Sequence, residues 1–337
     1  MKRKDLLDAI NKVKPALADG KLIEFKGLLL FDGEKLVSYG DEISVSVPLK
    51  TDFIGAVKED EFKKLIQKTT NPEIKISSDG KQFLVESMES GEMKAGFSLI
   101  EYNSESIPDL GLAQVKRWFS FPEGFIEVLK FCIFSASTND AYGVLCNLNI
   151  GTERIVSGDN YRITERSLSK KMFGLKGPLL IPRKVASFLS GFKLTKYALT
   201  ENCVHYKDDT EVVFTHRFIS EEYPSINEYL EIQGEELNLP KELAGILSRA
   251  QTIIPKDEDK VTIVVSEGKI KVKAEGTGTW FEEPTATDYK GKDLQFDASP
   301  EHLIQILNYS TETIIGENAL LFKGKDFRHS VCLISEE

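Results

Sequence analysis

Pro300-Glu-His-Leu303-Ile-Gln-Ile306-Leu307 is the last of six copies of one short pattern in a chain of 337 residues. Its apolar positions n, n+3 and n+4 share one face of a helix. The earlier copies supply Leu6/Ala9/Ile10, Phe62/Leu65/Ile66, Phe125/Val128/Leu129, Val185/Phe188/Leu189 and Leu243/Ile246/Leu247. They start at 3, 59, 122, 182, 240 and 300, so the gaps are 56, 63, 60, 58 and 60 residues. In the last four copies a proline (Pro122, Pro182, Pro240, Pro300) stands three residues before the first apolar position. That placement suits the first turn of a helix, where the missing N–H costs nothing. So regular a spacing reads as one supersecondary unit used six times.

What flanks each pattern completes the unit. Phe119-Ser-Phe121, Leu179-Leu-Ile181, Leu237-Asn-Leu239 and Leu294-Gln-Phe296 read as strands feeding helices of about 10–13 residues. Downstream, paired strands flank turn residues: Leu22–Phe31 and Glu34–Val47 around Asp32-Gly33, and Glu73–Ser77 and Lys81–Glu86 around Ser78-Asp79-Gly80. Val261–Ser266 and Lys269–Ala274 flank Glu267-Gly268, and Ala319–Phe322 and Phe327–Leu333 flank Gly324-Lys325. The fold class is therefore α+β, with antiparallel sheets built from strand–helix–strand units. One such unit leaves an apolar face unmatched, and two close a core of ordinary domain size. Pairing predicts three domains, at 1–114, 115–235 and 236–337, with linkers at Asn103–Gly111 and around Gly234.

The chain is 41% hydrophobic and 28% charged, which fits a soluble globular protein. No apolar run approaches the ~20 residues of a membrane span, and Met1-Lys-Arg-Lys-Asp5 leads into an amphipathic helix rather than a secretory core. Cys132, Cys146, Cys203 and Cys332 form no C-x-x-C pair and read as buried free thiols in a reducing cytoplasm. The formal net charge is −10. The six helix windows (2–17, 59–69, 122–134, 182–193, 239–251 and 299–309) nevertheless sum to +5, which leaves −15 elsewhere. Their cations include Lys4, Lys12, Lys14, Lys63, Lys64, Lys68, Arg183, Lys184, Lys193, Lys241 and Arg249. On a single helix such charge is an ordinary solvated face. In a repeat whose helices share one face of an assembly it becomes a field for a polyanion.

Several stretches now resemble the bacterial DNA sliding clamp, the beta subunit of the replicative polymerase, in a divergent version of bacterial or phage origin. Val156-Ser-Gly-Asp159-Asn-Tyr-Arg162-Ile163 resembles the family's A-T-D-G-H-R-L strand motif. Phe218-Ile-Ser-Glu-Glu-Tyr223-Pro224-Ser-Ile226 resembles its G-x-F-P-D-Y segment, and Pro178-Leu-Leu-Ile-Pro182-Arg-Lys-Val185 a middle-domain helix start. The Phe327–Leu333 strand resembles the closing strand before a Met-Pro-Met tail. Departures are Asn160 and Tyr161 for the motif's glycine and histidine, Tyr142 for an arginine, and Leu333-Ile-Ser-Glu-Glu337 for the tail.

The resemblance implies the DNA clamp fold: three tandem domains, pseudo-sixfold along the chain, and a homodimeric ring closed head to tail. It implies no catalysis, cofactor or metal. The helix cations, with Lys21 in the loop after the first helix, would face duplex DNA without reading its sequence. A cleft of Leu145, Gly158, Tyr161, Arg162, Ile163, Pro224, Tyr229, Cys332 and Leu333 would take short peptide motifs of the DNA polymerase and clamp loader. Two readings stand against it. One is a non-catalytic, repeat-built interaction or structural protein that encircles nothing. The other is an enzyme, although no P-loop, H-E-x-x-H or G-x-S-x-G motif is present and His205, His216, His302 and His329 lack metal-ligand spacing.

Overall fold

The computed structural model describes residues 1–17, 27–40, 42–87, 93–100, 110–255 and 258–335. Six modules follow one another along it. The first is α1 (Arg3–Val13) followed by β1 (Leu28–Phe31), β2 (Lys35–Tyr39) and β3 (Ser44–Pro48). The second adds a leading strand: β4 (Gly55–Lys58), α2 (Glu59–Lys68), β5 (Lys75–Ser78), β6 (Gln82–Ser87) and β7 (Met93–Ser98). The third is β8 (Phe119–Ser120), α3 (Phe125–Ile133), β9 (Asn147–Ile150), β10 (Arg154–Gly158) and β11 (Arg162–Ser167). The fourth is β12 (Leu179–Pro182), α4 (Arg183–Leu189), β13 (Leu194–Leu199), β14 (Cys203–Asp208) and β15 (Val213–Arg217). The fifth is β16 (Glu235–Asn238), α5 (Leu243–Ala250), β17 (Val261–Ser266), β18 (Lys269–Gly276) and β19 (Thr279–Ala286). The sixth is β20 (Leu294–Ala298), α6 (Pro300–Leu307), β21 (Glu312–Ile315), β22 (Ala319–Lys323) and β23 (Phe327–Cys332).

The modules exchange their leading strands in pairs. β4 pairs with β1, while at the start of the first module Lys2 bridges to Glu73 beside β5. β8 pairs with β13 and β12 with β9; β16 pairs with β21 and β20 with β17. A second rule concerns the last strands. β3 of the first module pairs with β15 of the fourth, and β11 of the third with β23 of the sixth. The results are two eight-stranded sheets, β4-β1-β2-β3-β15-β14-β13-β8 and β12-β9-β10-β11-β23-β22-β21-β16. A four-stranded sheet β19-β18-β17-β20 and a three-stranded sheet β5-β6-β7 remain.

The chain forms two compact units, Met1–Phe121 with Phe188–Ile219, and Pro122–Ser187 with Ser220–Glu337. Each eight-stranded sheet lies wholly within one of them. In the first unit α1 buries Leu6, Ala9, Ile10 and Val13, and α2 buries Phe62 and Ile66. In the second, α5 buries Leu243, Ile246, Leu247 and Ala250, and α6 buries Leu303, Ile306 and Leu307. Helices of this length are marginal alone, so this burial is what holds them.

Several sequence expectations need correction. The first two helices, of 11 and 10 residues, have the expected length, whereas the other four run only 9, 7, 8 and 8. Only Pro300 occupies a first helical turn. Pro182 ends β12, and Pro122 precedes a turn whose Gly124 (φ +76°) is the N-cap of α3. Glu34–Val47 is two strands, β2 and β3, because the chain turns where the Gly40 N–H donates to Ile43 O at 2.9 Å. A side chain at Gly40 would meet Ala16 O at 2.9 Å, so glycine is required there. Of the four thiols only Cys132 and Cys203 are buried; Cys146 is half-buried and Cys332 exposed. Gly276-Thr-Gly278-Thr279 closes the β18–β19 hairpin. The first part of the Leu22–Phe31 strand and most of the Asn103–Gly111 linker lie outside the described residues.

Candidate functional site

The turn between β10 and β11 is built on Asp159. Its Oδ1 accepts the N–H groups of Tyr161 (2.9 Å) and Arg162 (3.0 Å), and its Oδ2 accepts Arg162 Nε at 3.1 Å. Asp is suited to this because its short side chain mimics a turn of backbone. Arg162 is thereby fixed and only 9% exposed. It lies over the Phe134 ring, 5.6 Å from the centroid, and also donates to Gln305 Oε1 of α6. Gly158 is closely packed: a Cβ there would stand 3.0 Å from both Arg162 O and Ile163 Cγ1, so a side chain would force those neighbours to give. The end of β23 is tied to this turn by Cys332 N, which donates to Tyr161 O at 2.7 Å, and to the start of β22 by Leu333 N, which donates to Asn318 O at 2.9 Å.

Beside this turn, within the second unit, lies a cavity of about 510 Å³. Of the nine expected cleft residues, seven line it: Leu145, Gly158, Arg162, Ile163, Pro224, Tyr229 and Cys332. Tyr161 and Leu333 do not. Tyr161 is 57% exposed and sits by His302, with ring centroids 6.2 Å apart, whereas Leu333 is half-buried. Sequence reasoning missed most of one wall. Tyr223, Ile226, Tyr229 and Ile232 all line the cavity, and they recur at every third residue across the 3-10 turn Asn227–Leu230. Only Tyr229 lies within that turn and the other three flank it, so the every-third spacing in the sequence is the one regularity they share. That was the readable signal.

Burial tunes the polar groups around the cavity. It pushes the Tyr223 phenol up, eased by the Gly158 backbone; the buried hydroxyl makes no hydrogen bond of full geometry among the described residues. Although the residue is exposed overall, partial desolvation against the cavity wall raises the Cys332 thiol, and the Asp159 carboxylate adds to this. His302 is lowered by burial and then by the Arg162 guanidinium. Such a site offers an apolar concavity with a rigid polar rim, suited to binding an apolar side chain. It places no activated nucleophile, and among the described residues no group of three or more His, Cys, Asp or Glu could hold a metal.

The expected DNA-facing cations differ in their surroundings. Lys4, Lys14, Lys68, Lys184, Lys193 and Lys241 are exposed. Half-buried Lys12 reaches Thr210 Oγ1 at 3.5 Å. Three are already paired with carboxylates: Lys63 with Glu59 (3.1 Å), Lys64 with Asp60 (2.7 Å) and Arg249 with Glu283 (2.5 Å). Arg183 is half-buried and donates Nε to Ile133 O at 3.3 Å. Lys21 lies outside the described residues.

No family model matches the sequence, and no curated protein matches it. Solved structures do. The Bacillus subtilis DNA polymerase sliding clamp aligns at TM-score 0.85 and 14% identity, over 100% of this chain and 98% of its own. The Caulobacter crescentus polymerase III beta aligns at 0.87 and 15%, over 100% and 99%. A Pseudomonas aeruginosa sliding clamp (DNA polymerase III subunit beta), solved bound to griselimycin, aligns at 0.83 and 17%, over 100% and 98%. Along its whole length, the chain has the fold of the bacterial DNA polymerase III beta sliding clamps.

Proposed function

We propose that this protein is a non-catalytic processivity factor: a head-to-tail homodimeric ring that encircles duplex DNA and tethers the replicative polymerase in the cytoplasm of a bacterial or phage-infected cell. The observation that carries the reading is the pairing of last strands. The first module joins the fourth, and the third joins the sixth. Among the described residues, the last strands of the second and fifth, β7 and β19, each keep one edge without a partner strand. The rule that joins module n to module n+3 is completed only if β7 of one copy pairs with β19 of another. Unpaired edges of six and eight residues are otherwise an aggregation liability. Trp280 on β19 is 77% exposed, an apolar surface that such pairing would cover.

The exchange of leading strands supports three domains of two modules each, at 1–114, 115–235 and 236–337. In the ring the exposed helix lysines meet phosphates without base readout, so the contact is weak and salt-sensitive, as sliding requires. Topology, not affinity, supplies residence time. The cavity beside Asp159 takes an apolar anchor of a polymerase or loader peptide, which raises the partner's effective concentration at the primer end. The test is retention on nicked circular DNA with a matching loader. A ring stays on the circle and is lost when the circle is linearised. Retention that survives linearisation marks an ordinary DNA binder, and no retention marks a protein that encircles nothing.

A further inference from the structure

A second cavity, of about 1160 Å³, opens in the first unit at the start of α1. Cations reach it from three separate elements: Lys2, Arg3 and Lys4 from the helix start, Lys50 from just past β3, and Lys75 from β5. Three carboxylates also line it, Asp52, Glu73 and Glu86. Glu86 is held by Lys75 (3.3 Å) and by Lys94 (3.4 Å). Asp52 and Glu73 are therefore left against Lys2, Arg3, Lys4 and Lys50, so the wall is basic in a chain of net charge −10.

The cluster is unsatisfied in two respects. Arg3 directs Nη1 at the carbonyls of Ile66 (3.4 Å) and Gln67 (3.3 Å), yet its Nε is buried with no hydrogen-bond partner among the described residues. Buried donors of this kind are rare and call for an acceptor. The helix start is also charged against its own dipole. Lys2, Arg3 and Lys4 outnumber the single first-turn acid, Asp5, and no side chain caps the helix, whereas α2 begins with the favourable Glu59-Asp60-Glu61. An anion in the cavity would turn each of these costs into an attraction.

We propose that this cavity is an anion site for a run of phosphates, either a nucleic-acid backbone or a free polyphosphate. Lysine point charges and an arginine fork are the usual phosphate-binding set, and the volume exceeds what one orthophosphate would fill. The proposal does not depend on the ring. Its test uses the full chain with two probes, inorganic tripolyphosphate and fluorescein-labelled dT12. Tripolyphosphate binding should weaken at least tenfold in Lys2→Glu/Lys50→Glu and tighten in Asp52→Lys. Displacement of dT12 by tripolyphosphate, with the same variant dependence, assigns the site to nucleic acid. Tripolyphosphate binding with no dT12 binding assigns it to free polyphosphate. If the double variant does not fold, Asp52→Lys decides alone. Affinities unchanged in a folded variant, or no binding of either probe, overturn the proposal.

Discussion

The two eight-stranded sheets follow one plan but are joined differently. In the first, β3 meets β15 over three residue pairs, Ser44↔Thr215, Val45↔Phe214 and Ser46↔Val213. In the second, β11 meets β23 over five, from Arg162↔Val331 to Arg166↔Phe327. Charge is concentrated at the second seam. Glu165 takes Arg154 on one oxygen and Arg328 (2.8 Å) on the other, Arg166 takes Asp326 (3.1 Å), and Arg162 takes Asp159. The first seam is flanked instead by neutral networks. His205 bonds Thr215 (2.9 Å) and Thr200 (3.2 Å). His216 donates Nδ1 to Arg217 O, so its Nε2 accepts the Tyr206 hydroxyl at 2.7 Å. The second sheet also carries the cavity. One joint is a plain continuation of the sheet, while the other is a charge-braced strand pair beside the cavity.

The largest expected effect tests that difference in role. Ile163→Asp, which puts a carboxylate into the cavity wall, should weaken binding of a polymerase-derived peptide by roughly a hundredfold or more, as the loss of an apolar hot spot does. Dimer formation should be unaffected. Peptide binding that survives in the folded variant would remove the role assigned to the second seam.

Acid should weaken both seams. His205 and His216 are fully buried, and burial lowers each to about 4 from an ordinary 6.5. His329, on the second seam strand, is lowered by the same cause. The unfolded chain takes up protons on these groups near pH 6.5 while the folded chain does not. Stability is therefore full above that pH and lost as pH falls towards about 4, by up to ~3 kcal/mol for each of His205 and His216. Urea midpoints should drop between pH 7 and pH 4.5; a flat profile would contradict the assignment.

The charged seam should be the more sensitive to loss of one group. Glu165→Gln keeps the shape but leaves Arg154 and Arg328 facing each other without the anion. Both arginines are more than a third exposed, so screening limits the cost to about 1–2 kcal/mol by urea unfolding. At the other seam, Thr215→Val removes one neutral hydrogen bond to His205 and should cost about 1 kcal/mol or less. Equal costs would erase the contrast.

How much of this the sequence made legible follows from range. The six helices were readable because n, n+3, n+4 is a local signal. The β-hairpins were readable because Asp-Gly and similar turns are local too. Strand exchange between modules was not, since nothing near Phe119-Ser120 says that its partner is Lys196-Tyr197. Pro182 misled about a helix start because pairing of β12 with β9 took it into the sheet, and Pro122 because the turn at Gly124 sets the start of α3. In the cavity, the Asp159–Ile163 turn was found through its motif. Tyr223, Ile226 and Ile232 were missed because they flank the turn Asn227–Leu230 in irregular backbone, where neither the α-helical nor the strand period sought applies. The ion set around Glu165 joins residues about 160 positions apart, which no single-sequence pattern reports.

The account rests on β7 of one copy pairing with β19 of another. Electron micrographs of the purified protein at micromolar concentration, with its mass measured on the same sample, test this directly. The account predicts closed annuli at about twice the 37.8 kDa chain mass, and their loss in Trp280→Asp without loss of chain stability. Monomers, or open filaments in place of rings, would contradict it.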